Sequence, residues 1–185
     1  KGGQKGYPGH QEIELALVKL YEATDNREYL ELSCYFLEER GREPNYFVWE
    51  WENLRQKCSF KTNLPVESPD LVYNQSHLPV HDQTSAAGHA VRAMYMYAAM
   101  ADVARAAGSR EMYQSCRRLW ENVVERQMYI TGAIGSTRTG EAFTADYDLP
   151  NDCNYSESCA SIGLAMFGSR MGSITREAKY YDVVE

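Results

Sequence analysis

No run of apolar side chains in the 185 residues approaches the ~20 needed to span a bilayer, and no charged, apolar and small-residue succession marks a signal peptide. Basic clusters are missing too. The 19 Lys and Arg stand against 26 Asp and Glu, a formal charge of -7, which argues against nucleic acid as a partner and gives a membrane surface nothing to hold. Low-complexity segments are absent, and with 44% apolar and 24% charged residues the chain has the makings of a folded domain rather than a disordered one. The five cysteines (34, 58, 116, 153 and 159) include no CxxC pair and no dense framework. That usage fits reduced thiols in a cytoplasm-like setting better than a disulfide scaffold. The chain opens at Lys1 without methionine and stops inside a helical pattern, REAKYYDVVE, with no capping residue. Residues 1–185 are therefore expected to be part of a domain cut at both ends.

What is present is helical periodicity in pairs. Apolar spacing predicts a helix from His10 to about Ala23, with Ile13, Leu17 and Leu20 on its inner stripe. After Thr24, Asp25 and Asn26 a second runs from Arg27 to Arg40, with Tyr29, Leu30, Cys34 and Leu37 inward. The stretch from Glu43 to His81 carries prolines at 44, 65, 69 and 79 and admits only a short helix near Val48 to Lys57. A second hairpin spans Asp82 to Gln127, its first helix (GHAVRAMYMYAAMADVARAA) apolar nearly all round and its second, from Arg110, amphipathic. A third pairs Tyr155 to Met171 with Thr175 onward, turning at Gly172 and Ser173. The turns share Arg-Glu at 27/28, 110/111 and 176/177, each followed by an aromatic. A more apolar first helix and a more polar second one in every unit predict two helical layers, as in a solenoid or a closed α/α barrel. Cys34 and Cys116 read as buried small hydrophobes, and Cys58 has no assignable role. The uncovered face from Met94 to Met100 is expected to invite association between copies.

The chemistry gathers in one long connection, Thr131 to Asn154, and the helix start after it. Loops beyond about 12–15 residues without secondary structure of their own are uncommon and often functional. Glu141, in TGEAF, reads by spacing alone as a solvated loop glutamate or as an approachable carboxylate whose pKa a neighbouring aromatic such as Phe143 can raise for general acid work. Asp146, Asp148 and Asp152 are sugar-binding, capping or solvated alternatives. Glu157 and Cys159 open the third inner helix; both are zinc-ligand types, but positions two apart share a metal only on an irregular first turn. His10 and His89 each follow a glycine at the start of an inner helix and are expected to face a common pocket. His77 and His81 read as ordinary loop residues.

The segments QTSAAGHAVRAMYMYAAMADVA, TGAIGSTRTGEAFTADYDLPND and YSESCASIGL, with GHQEIELALVKLYEATDNREYLELSCYFLEERG before them, resemble glycoside hydrolase family 127, the β-L-arabinofuranosidases. The resemblance covers nearly the whole chain. It implies an all-α segment, about three helical hairpins of an (α/α)6 catalytic barrel, and a retaining enzyme with a zinc-bound cysteine thiolate as nucleophile. Carried over position by position, Glu141 becomes the general acid/base, Glu157 and Cys159 become zinc ligands, and His10 and His89 contact an L-arabinofuranosyl glycan. The family's adjacent cysteine pair, which supplies the nucleophile and the remaining zinc ligand, has no counterpart here, so the segment alone is expected to be inactive. Cys153 is no part of the family pattern. Two other readings stand beside this one: a metal-free α/α-barrel carbohydrate enzyme pairing Glu141 with Asp146 or Asp148, and a non-catalytic helical-repeat binding scaffold.

Overall fold

A computed structural model describes residues 5–54 and 68–185. Cys58, Pro65 and the end of the short helix expected to reach Lys57 lie outside the described residues. The fold is all-α: α1 (Ile13–Thr24), α2 (Arg27–Glu39), α3 (Tyr46–Leu54), α4 (Ala90–Ala107), α5 (Arg110–Asn122), α6 (Ser158–Thr175) and α7 (Ala178–Val184). Among the described residues there is no strand, only isolated bridges, and no helix long and apolar enough to cross a membrane.

Three antiparallel hairpins, α1/α2, α4/α5 and α6/α7, stand side by side, and their first helices form a row with α4 in the middle packed on both α1 and α6. The alanines of α4 explain its place, because a helix flanked by four others, α1, α2, α5 and α6, needs small side chains on most sides. Ala93, Met94, Met96, Tyr97, Ala98 and Met100 are fully buried. Each buried methionine contributes about 1.5–3 kcal/mol. The patch from Met94 to Met100, expected to be uncovered, is thus buried but for Tyr95. Among the described residues, exposed apolar side chains on the helices of the row stand at its two ends, Ile13, Leu20 and Leu32 on the α1/α2 side and Ile162, Tyr181 and Val184 on the α6/α7 side, with Ile130 and Tyr147 exposed on the connections.

The buried side of α1 also differs from expectation. Leu15, Leu17 and Val18 are buried, whereas Ile13 and Leu20 are 42% and 43% exposed. The true stripe includes Glu14, fully buried and 3.9 Å from the equally buried Arg40 guanidinium, so an apolar pattern could not find it. On α2, Ser33 and Leu37 are buried and Leu30 and Cys34 only partly. Three predicted helix starts move later. His10 gives way to Ile13, Asp82 to Ala90 and Tyr155 to Ser158, because the intervening residues fold as turns, bends and irregular backbone, with Gly88 and Ser156 left-handed. The α6 helix runs through Gly172 and Ser173 to Thr175, where Arg176 takes the left-handed conformation (φ 61°), as Asp25 (57°) and Gly108 (66°) do at the ends of α1 and α4. The N-caps that follow are Asn26, Ser109 and Glu177. Arg27-Glu28 and Arg110-Glu111 therefore open helices, while Arg176-Glu177 is the turn itself, and the sequence repeat is two residues out of step in the third unit. The α5 helix ends in a π-helical turn, Val123–Gln127.

Candidate active site

The N-terminal ends of α1, α4 and α6 converge, and the long connections cross over them. His89 is the N-cap of α4 and Glu157 the N-cap of α6. Gly88, at φ 70°, makes the approach to α4: a Cβ there would meet the Val72 carbonyl oxygen at 2.0 Å, a position only glycine can hold. Buried Gln75 ties this corner together. Its amide nitrogen donates to the carbonyls of Ala87 (2.8 Å) and of Tyr73 and His89 (both 3.2 Å), and its oxygen accepts from Gln11 at 2.7 Å. The connection after α5 is laid against the same corner by Phe143 N–H donating to Gly88 O (2.9 Å).

Glu141 comes to His89 on this frame. His89 Nδ1 accepts from the Arg92 backbone N–H (3.5 Å), which leaves the proton on Nε2, and Nε2 donates to Glu141 Oε2 at 2.9 Å. The Tyr155 hydroxyl donates to the other oxygen, Oε1, at 2.7 Å. The Tyr155 hydrogen bond, reinforced by His89 and Arg92, holds the Glu141 carboxyl below its ordinary range. The expected upward shift is not found, because Tyr155, His89 and Arg92 outweigh the desolvation of a carboxylate still 42% exposed. Glu141 stands at φ 50°, the left-handed region where strain is stored at functional sites. Burial, helped by Arg92, pushes the His89 imidazole down, so it is the neutral ring that donates.

Ligand atoms of His89, Glu141 and Glu157 lie within 4.8 Å of one another. Glu157 has extended backbone (φ -62°, ψ 133°) and the helix begins at Ser158, the irregular first turn that a shared Glu157/Cys159 site requires. Glu157 Oε2 is buried without a hydrogen-bond partner. The exposed Cys159 thiol is pushed up mainly by its hydrogen bond to Glu157. A carboxylate oxygen with nothing to accept from, beside a cysteine sulfur two residues on, is a donor pair suited to a cation of zinc's preferences.

The two histidines are neighbours but not equivalents. Their ring centroids are 6.4 Å apart, yet His89 caps its helix while His10 lies two residues before the N-cap of α1, exposed, with its ring 5.9 Å from Tyr95. The aspartates go elsewhere. Asp146 accepts from Asn122 Nδ2 (2.9 Å) and pairs with Arg126 (3.0 Å), clamping the connection to the π-helical turn. Asp148 uses its carbonyl to accept from Ser136, and Asp152 and Cys153 are exposed. His81 is no idle loop residue, because it bridges Ser115 (3.2 Å) and Glu38 (3.0 Å) between hairpins. Cys34 is half-buried and Cys116 fully buried.

Sequence reasoning missed Tyr155, Arg92, Tyr73 and Gln75. Arg92 lays its guanidinium over the Tyr73 ring (4.7 Å to the centroid), and that ring meets His89 edge-on at 5.5 Å. Tyr155 had one available signal, its place two residues before Glu157; the others have none in a single sequence.

The family described as beta-L-arabinofuranosidase, GH127 catalytic domain, matches residues 1–185. The non-reducing end beta-L-arabinofuranosidase of Bifidobacterium longum subsp. longum is 43% identical over 185 residues, 100% of this chain and 28% of that protein. The crystal structure of a GH127 beta-L-arabinofuranosidase from Geobacillus stearothermophilus T6 superposes with a TM-score of 0.91 at 50% identity, over 100% of this chain and 28% of that one. A GH127 beta-arabinofuranosidase structure gives 0.81 at 40% identity, again over the whole of this chain and 26% of the other. The chain thus spans little more than a quarter of the relatives it matches. With the family matched from end to end and the fold shared with its solved structures, the chain belongs to glycoside hydrolase family 127 as a segment of its (α/α)6-barrel catalytic domain.

Proposed function

We propose that this segment supplies the acid/base half of the active site, and half of a zinc site, to a retaining β-L-arabinofuranosidase acting on plant-wall glycans. The observation that carries the proposal is the meeting of Glu141, His89 and Glu157 within 4.8 Å at the mouth of the helix row, with the exposed Cys159 two residues after Glu157. Glu157 and Cys159 would hold the zinc, which when bound keeps coordinated sulfur deprotonated at neutral pH. The nucleophilic cysteine of this reading is not among residues 1–185.

The residues on the page divide the remaining work. Glu141 donates a proton to the departing glycosidic oxygen and later takes one from water. Tyr155 and His89 grip its two oxygens, so the free site holds the carboxylate, the form that activates water. A sugar ring that expels water from the mouth strips solvent from Glu141 and favours the protonated form needed for the first step. His89 and His10, side by side, offer donors and acceptors to furanose hydroxyls.

The test is carried out on the full-length protein containing this segment, with L-arabinose release from β-L-arabinofuranosides as the readout. Glu141→Gln and Cys159→Ser should each lower the rate at least ~100-fold. A metal-free enzyme would lose activity with the first substitution and keep it with the second. A scaffold would lose nothing with either. The metal-free pairing of Glu141 with Asp146 is disfavoured by geometry, since Asp146 is already committed to Arg126 and Asn122.

A further inference from the structure

We propose that Tyr155 is the positioning residue for Glu141, its hydroxyl fixing the carboxylate at Oε1 so that the proton-donating oxygen is presented to the leaving group. The inference rests on the reading of Glu141 as acid/base and goes beyond it by assigning a group that points the acid.

The contact is built rather than incidental. Tyr155 N–H donates to Ser136 O and Ser156 N–H to Gly135 O, both at 3.0 Å. On the other side, Thr137 and Ala142 exchange both backbone hydrogen bonds, at 3.1 and 3.2 Å. The stretch 135–137 is thus a spacer of fixed width, with Tyr155 on one side and Glu141 on the other. Gly135 (φ 82°) presses this spacer onto α4, where a Cβ would lie 3.0 Å from the Ala90 Cβ. Glu141 and Ser156 both take left-handed backbone, φ 50° and 49°, so two ordinary residues adopt costly conformations on either side of the same contact. The result is a phenol oxygen 2.7 Å from Oε1 and an imidazole nitrogen 2.9 Å from Oε2. Two donors on two oxygens set the plane of the carboxylate, and a general acid a fraction of an ångström or a few tens of degrees out of line loses efficiency.

The experiment compares leaving groups in the full-length protein. A 4-nitrophenolate departs with little protonation; a methoxide requires the acid. For Tyr155→Phe, kcat/KM on methyl β-L-arabinofuranoside should fall roughly tenfold more than on the 4-nitrophenyl glycoside. Tyr155 is half-buried, and the unfolding midpoint of the variant checks that losing one oxygen leaves the fold in place. Equal losses on both substrates would make Tyr155 merely structural, and no loss on either would make the contact idle; each overturns the proposal. Failure of the underlying assignment is distinguishable, because Glu141→Gln would then show no selective loss on the methyl glycoside.

Discussion

Gly163→Ala puts the α4–α6 seam to the test. The added Cβ would lie 2.6 Å from the Met94 Cβ and 3.3 Å from its Cγ, where ordinary contact is 3.4–4 Å. Both crowded carbons are fixed to helix backbones, so a rotamer change at Met94 relieves only the longer contact. The helices must separate by most of an ångström, against a core in which Met94, Tyr97 and Phe167 are fully buried. Overpacking of this kind costs about 1–3 kcal/mol, here toward the upper end. Alanine returns about 1 kcal/mol through helix propensity. The balance predicts a net loss of about 1–2 kcal/mol, read as a lower urea midpoint with unchanged slope. Gly163 lies one turn from Cys159, so the same displacement moves the proposed zinc ligands Glu157 and Cys159 away from His89 and, on that proposal, should weaken zinc retention. Unchanged or increased stability would refute the reasoning, for it would show that the seam accommodates a methyl group and that α6 is not held at the distance observed.

The buried Glu14–Arg40 pair supplies the next prediction. Burial pushes Glu14 up and Arg40 down to about 10, so desolvation outweighs their attraction at 3.9 Å. Arg40→Met should cost about 3–5 kcal/mol by stranding Glu14, and adding Glu14→Gln should restore part of it in thermal unfolding. Asp146 gives a pH prediction. Its hydrogen bonds from Arg126 and Asn122 hold it below the ordinary carboxylate value of 3.8. Its stabilising contribution is therefore present above about pH 4 and lost as pH falls through the folded value. Stability measured from pH 6 down to 2 should drop less steeply in Asp146→Asn, and an identical slope would contradict the assignment.

The fold was largely legible because alanine-rich α4 and the paired helices carry their pattern locally. Glu14 and Arg40 escaped it, being charged residues buried beside each other across 26 residues of chain, with Arg40 also donating to the Asn74 and Pro8 carbonyls. The third hairpin was misaligned because Arg176-Glu177 mimics Arg27-Glu28 in sequence while sitting in the turn. At the site, residue type and motif singled out Glu141, Glu157 and His89, which the structure brings together. The direction of the Glu141 shift was not legible, because it depends on Tyr155, fourteen residues on and brought near by backbone hydrogen bonds that periodicity does not encode. The expected equivalence of His10 and His89 failed for the reason that Gly-His precedes a helix at different distances in the two units.

Zinc stoichiometry tests the central claim most directly. Elemental analysis of the full-length protein should find about one zinc per chain in the wild type, and near none in Cys159→Ser and Glu157→Gln. An active wild type free of zinc, or zinc retained undiminished in both variants, would contradict the account.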